Sequence, residues 1–240
     1  MSYDQGSRWT THSTVPHVEI DAGLRSYMLR VYNYMAGGLA LTGIVAYFAA
    51  SSGIYAELVQ QHRMLFWIVL IAPLALVMLL SFRINKMSLG AAQTTYWGYA
   101  ALVGLSIAGI FFVYTGASIA TTFFICAAMF AAMSLWGYTT KRDLTKMGSF
   151  LFMGVIGIVV AMLVNMFLHS AALQFAISAI GVVVFTGLTA WDTQRIKEMY
   201  WEGDGAVVAG KKSIMGALAL YLDFLNLFLF MLQFMGVRRN

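Results

Sequence analysis

Apolar residues run through the chain in stretches of about twenty, the length an α-helix needs to cross a bilayer, with polar connections between them. The stretches lie near Val31 to Ala50, Met64 to Phe82, Thr94 to Tyr114, Ser118 to Tyr138, Ser149 to Leu168, Ala171 to Asp192 and Ile214 to Gly236. They predict seven spans, the sixth running past its apolar part through Gln194 and Ile196 toward Tyr200. All connections are short but one. Trp201 to Ser213 carries Gly203, Asp204, Gly205, Gly210, Lys211 and Lys212, and reads as a polar, flexible link between the last two helices. The prediction is an all-α membrane protein: a polar cytoplasmic tail over residues 1–26, then one seven-helix transmembrane domain over residues 27–240. The tail has no apolar core of signal-peptide type, so the first span is read as retained.

Composition agrees with this pattern. Hydrophobic residues make up 60% of the 240 and charged residues 10%, against about a quarter charged in soluble domains. The net charge of +5 raises the question of nucleic acid, but the basic residues are dispersed over short connections and gather on no one face. They are better read as topological signals. Arg8, Arg25, Arg30, Arg83, Lys86, Lys141, Arg142, Lys146, Arg195, Lys197, Lys211 and Lys212 fall in the tail and alternate loops, whereas the opposite loops hold only Arg63. The amino terminus is therefore expected in the cytoplasm. An odd number of spans puts the carboxyl terminus outside, with Arg238 and Arg239; a re-entrant last segment would bring both ends inside.

Two of the acidic residues lie where charges are costly. Asp223 sits inside Ala217-Leu218-Ala219-Leu220-Tyr221-Leu222-Asp223-Phe224-Leu225-Asn226, and Asp192 follows Leu188-Thr189-Ala190-Trp191. A mid-membrane aspartate costs about 2.5 to 3.5 kcal/mol, so such a group faces a cavity or a partner. With the sixth helix ending near Tyr200 and the seventh starting near Ile214, each aspartate lies about 12 to 14 Å from the cytoplasmic end of its own helix. Consecutive antiparallel helices can then bring the carboxyls together. Arg83, at the cytoplasmic end of the second span, is positioned to serve them as counter-ion. Two adjacent carboxyls in a poorly hydrated site do not both ionise easily and titrate as a unit, which suits a proton sensor. The competing reading has each aspartate only hydrogen-bonding a neighbouring helix, through Asn226, Asn165 or Tyr221.

Other polar residues carry less. His62 and His169 fall at loops and His12 and His17 in the tail, with no metal-ligand spacing. Cys126 lies in an apolar run and reads as packing. Pro73 is a candidate kink in the second span. Gly154, Gly157 and Ala161 recur at helical spacing on the fifth, where small residues let helices approach. Thr140 and Asp143 have the spacing of a capping box opening that helix.

Four pieces in order resemble the Bax inhibitor family, also called the transmembrane BAX inhibitor motif family, in its bacterial form. They are Ser81-Phe82-Arg83-Ile84-Asn85-Lys86-Met87-Ser88, Ser134-Leu135-Trp136-Gly137-Tyr138-Thr139-Thr140-Lys141-Arg142-Asp143-Leu144, Trp191-Asp192-Thr193-Gln194, and Tyr221-Leu222-Asp223-Phe224-Leu225-Asn226-Leu227-Phe228. The resemblance covers nearly the whole chain. It implies a multi-pass protein of the bacterial inner membrane, a seven-helix bundle with the last helix central, and a pH-sensitive calcium leak gated by an aspartate pair. Asp192 and Asp223 match that pair, with Arg83 its closed-state partner and Asn226 and Tyr221 as supporting polar groups. Ca²⁺ would visit the two carboxylates transiently; no resident cofactor and no enzymatic activity are implied. The long link before the last helix departs from the family pattern and would cover the pair differently.

Besides the bilayer, calcium and protons, one further partner follows from the resemblance. Some bacterial relatives are associated with a membrane-anchored, ATP-dependent quality-control protease, so a non-conducting regulator is the alternative function. An intramembrane aspartyl protease also needs two opposed acids, but no glycine-containing catalytic turn precedes Asp223. A retinal protein is disfavoured because the last span lacks a lysine for a Schiff base.

Overall fold

The computed structural model describes residues 17–239, with side chains from Ala22 onward. Nine α-helices follow one another among the described residues: α1 (His17–Ser51), α2 (Ile54–Gln61), α3 (Arg63–Arg83), α4 (Leu89–Ile107), α5 (Ile110–Val113), α6 (Gly116–Thr139), α7 (Thr145–Leu168), α8 (Ala171–Glu198) and α9 (Ala206–Met235). Seven stretches are long and apolar enough to cross a membrane, α4 and α5 together forming one broken span. The short α2 lies between the first two spans and buries none of its residues. It is reached through a turn at Gly53, whose φ of 80° is left-handed backbone that glycine adopts without strain. Residues 1–16 of the predicted tail, with His12, lie outside the described residues, and His17 already begins α1.

The spans differ in how much they bury. In α9, 67% of the apolar window is buried inside the protein, against 11 to 33% in the others, and it packs on α1, α4, α6 and α8. Lipid is as apolar as a leucine side chain, so helices in a membrane are held by close approach and internal hydrogen bonds. Both are present. Thr42 on α1 donates to Ala100 O at 2.8 Å, which leaves Tyr221 on α9 to donate to Thr42 Oγ1 at 2.6 Å. A chain of hydroxyls ties α1 and α6 to α8: Tyr32 to Ser134 at 2.6 Å, Ser134 to Thr193 at 2.9 Å, and Thr193 to Thr189 O at 2.7 Å. Gly137 on α6 rests on α8 so closely that a Cβ there would lie only 2.2 Å from Ala190 O.

Several local expectations need correction. The link before the last helix is short, because α9 starts at Ala206 and takes in Gly210, Lys211 and Lys212. Gly210 is a poor helix former, but the two lysines after it are good ones, and tertiary contacts hold all three in the helix. Gly210 packs against Leu89, Lys211 Nζ donates to Asn85 O, and Lys212 Nζ donates to Met199 O and to the Asp204 carboxylate. Being one unbroken helix of 30 residues, α9 is not re-entrant. Thr140 and Asp143 form no capping box: Thr140 caps the end of α6, and Asp143 Oδ1 accepts from Thr145 N at 2.8 Å as α7 begins. That bond, from the Thr145 side chain and backbone, together with Lys146 nearby, holds the Asp143 carboxyl below its ordinary range. Gly154 faces Val184 on α8, as close packing requires, while Gly157 has nothing near it. Pro73 lies within α3, which continues through it.

Candidate functional site

Asp192 and Asp223 come together at the contact between α8 and α9. Both are buried, 8% and 4% exposed, and the two carboxyls are near enough to interact. Asp223 Oδ2 is buried with no hydrogen-bond partner. The route to this contact differs from the depth argument. Asp192 is about 9 Å from the end of α8, whereas Asp223 is about 25 Å from the start of α9, at 1.5 Å per residue. The early start of α9 carries it about three turns beyond the end of α8, and the acids still meet.

The counter-ion is Arg195. Its guanidinium lies 3.6 Å from Asp192 Oδ1, one turn along the same helix, and 5.3 Å from the centre of the Trp191 ring. Arg83, expected in this place, is exposed and forms no ion pair among the described residues. It stands at the last residue of α3, a helix that packs chiefly on α4. The signal for Arg195 was present in the sequence as an aspartate and an arginine three residues apart on one helical face. Arg195 belongs to the last turn of α8 and not to a loop.

The supporting polar residues divide. Tyr221 turns its hydroxyl to Thr42 and not to the acids. Asn226 lines the same cavity as Asp223, with its amide donating back to Leu222 O at 2.8 Å. Gln194, which the sequence did not single out, fixes the helix that carries Asp192. Its side chain accepts from Leu144 N and donates to Arg142 O, both at 2.8 Å, tying α8 to the connection between α6 and α7. Cys126 is buried in the core; His62 and His169 lie at helix ends.

Two cavities meet at the acids. One, of about 470 Å³, is lined by Ser81 and Asn85 on one side and Lys211 and Lys212 on the other. The second, of about 570 Å³, lies between α7, α8 and α9 and reaches Gln233. Asp192, Arg195, Ala219 and Leu222 line both, so the ion pair stands between them, and Asp223 faces the second. As calcium ligands the two carboxylates are a sparse set, since Ca²⁺ takes six to eight oxygens and no third acidic, histidine or cysteine ligand joins them among the described residues.

Comparison with known proteins agrees with the architecture. A family model described as inhibitor of apoptosis-promoting Bax1 matches residues 24–240. The inner membrane protein YbhL of Escherichia coli (strain K12) is 51% identical over 92% of this chain and 96% of its own length. An uncharacterized protein of Rickettsia prowazekii, RP147, is 50% identical over 96% and 98% of the two chains. A third relative, from Caulobacter vibrioides, is 45% identical over 93% of each. The chain thus belongs to the Bax inhibitor family, as an all-α, multi-pass protein of the inner membrane.

Proposed function

We propose that the chain is a pH-sensitive calcium leak whose gate is the pair Asp192 and Asp223, with the amino terminus in the cytoplasm. The observation that carries the reading is two buried carboxyls in mutual reach at the boundary between two cavities. When the pair holds a proton, one carboxyl donates to the other and α8 stays closed on α9. When it holds none, two negative charges repel in a region of low dielectric, where the interaction is several times stronger than in water. Separation of the helices joins the cavities and leaves hard oxygen ligands facing a divalent cation. Arg195 restrains both steps: it neutralises Asp192 in the closed form and repels an approaching cation until it swings aside. Its side chain is 57% exposed and free to do so.

The test is calcium flux into proteoliposomes across pH. Flux that rises as pH rises and loses its pH dependence in Asp192→Asn and Asp223→Asn supports the gate. Flux with an unchanged pH profile in both variants removes the pair from gating. A wild-type protein passing no calcium at any pH sinks the leak and moves the weight to a regulator that binds a membrane-anchored, ATP-dependent protease.

A further inference from the structure

Apart from the cavities at the acid pair, α1 and α6 line a groove of about 520 Å³. Its walls are Met28, Leu29, Met35, Phe130, Ala131 and Leu135. Tyr32 and Ser134 line it too, but their hydroxyls are engaged in the chain that ends on Thr189 O, so the polar groups left to an occupant are those of Arg25 and Tyr138. The rims are exposed and oily, with Leu29 52% and Leu135 64% exposed. In a membrane protein such a surface faces hydrocarbon.

One end of the groove is different. A second hollow, of about 550 Å³, adjoins it through Arg25 and Leu29 and is lined also by Ser26, Arg30 and Asn33. Neither lining contains an acid among the described residues. The arginines stand about 7 Å apart along α1, at the end of the bundle where Tyr138 and Thr139 finish α6. Lys197 reaches the same end, its Nζ donating to Tyr138 O and lying over the Tyr138 ring.

We propose that α1 and α6 hold one anionic phospholipid, its phosphate between Arg25 and Arg30 and an acyl chain along the groove. Guanidinium groups match phosphate oxygens in geometry as well as charge. The apolar groove, continuous with the arginines, supplies what a free phosphate would not use. A zwitterionic lipid brings its own cation toward the arginines and gains less from them.

Native mass spectrometry of the full chain in mild detergent tests this with phosphatidylglycerol, phosphatidylcholine and inorganic phosphate as separate probes. One phosphatidylglycerol is expected to be retained per chain, in preference to phosphatidylcholine, with inorganic phosphate not retained. Each basic residue near a membrane surface contributes about fivefold to anionic binding. Arg25→Gln with Arg30→Gln should therefore weaken phosphatidylglycerol retention about 25-fold and leave phosphatidylcholine unchanged. Ala131→Trp, filling the groove from an exposed position, should weaken retention of both lipids. Wild-type preference in the double arginine variant overturns the headgroup assignment, unaltered retention in Ala131→Trp overturns the groove, and equal retention of inorganic phosphate overturns the lipid.

Discussion

Replacing Gly137 with alanine tests the closest approach of α6 and α8, and through it the placement of Asp192. The added Cβ would lie 2.2 Å from Ala190 O and 2.8 Å from Ala190 C and Cα, where ordinary contact begins at 3.4 Å. The obstacle is backbone, so no side chain can rotate away. The helices must part by about 1 Å, and a gap of that size forfeits a quarter to a half of the dispersion energy across the contact. Overpacking of this kind costs about 1 to 3 kcal/mol. For a chain of this size each kcal/mol moves the midpoint by about 2 to 4 °C, so Gly137→Ala should melt about 2 to 12 °C lower. Tryptophan fluorescence of the protein in detergent reads the midpoint directly. Gly157→Ala is the control: nothing lies within 4 Å of its Cβ, and a helical glycine gains from the change. Its midpoint should stay level or rise. Equal midpoints for the two variants would refute the claim that Gly137 is the contact point. The flux profile should also shift in Gly137→Ala, since Ala190 is two residues from Asp192.

Gln194→Leu removes both bonds from α8 to the connection between α6 and α7 and leaves Leu144 N buried without an acceptor, a loss of about 2 to 3 kcal/mol readable as a lower midpoint. Tyr221→Phe deletes one hydroxyl bond while Thr42 keeps its bond to Ala100 O, so about 1 kcal/mol should go, with no change in the flux pH profile. Asp143 holds its proton less tightly folded than unfolded, because Thr145 donates to it. Its contribution is thus present above the ordinary carboxylate range, near about pH 4, and lost as pH falls through the lowered value. The melting difference between the wild type and Asp143→Asn should be full at neutral pH and vanish in strong acid; a difference independent of pH would contradict the assignment.

The spans were legible because each must supply about twenty apolar residues, a signal that survives any detail of packing. The acids were legible for the converse reason, since a charge in that setting is costly enough to need a cause. What the sequence could not convey is the rotation of each helix about its axis and the point where it begins. Arg83 and Arg195 both end predicted spans with a basic residue, yet only the face that α8 turns to α9 brings a guanidinium to Asp192. Gly210 and the polar lysines after it read as a link, and their contacts with Leu89, Asn85, Met199 and Asp204 belong only to the folded chain. Gly137 belongs to the motif that carried the resemblance, but its reason, a carbonyl oxygen on another helix, exists only in three dimensions.

The buried polar groups also explain why the acids stand apart from the many hydroxyls and amides around them. Thr189, Thr193 and Asn226 each donate to a carbonyl four residues back on their own helices, and Thr42 to one on α4. A hydroxyl or amide can settle its account this way, because the helix always offers an acceptor within reach. An ionised carboxylate has no donor and needs donors or a cation brought to it. The helix interior supplies none, its N–H groups being already bonded along the axis. Among the described residues only Tyr27 Oη and Asp223 Oδ2 are buried side-chain atoms without a partner. Tyr27 lies 5.7 Å ring to ring from Tyr200 and, as a phenol, carries no charge to be compensated. An ionised Asp223 would need a proton shared with Asp192 or a cation arriving through a cavity, and a switch between those two is what the proposed gate would use.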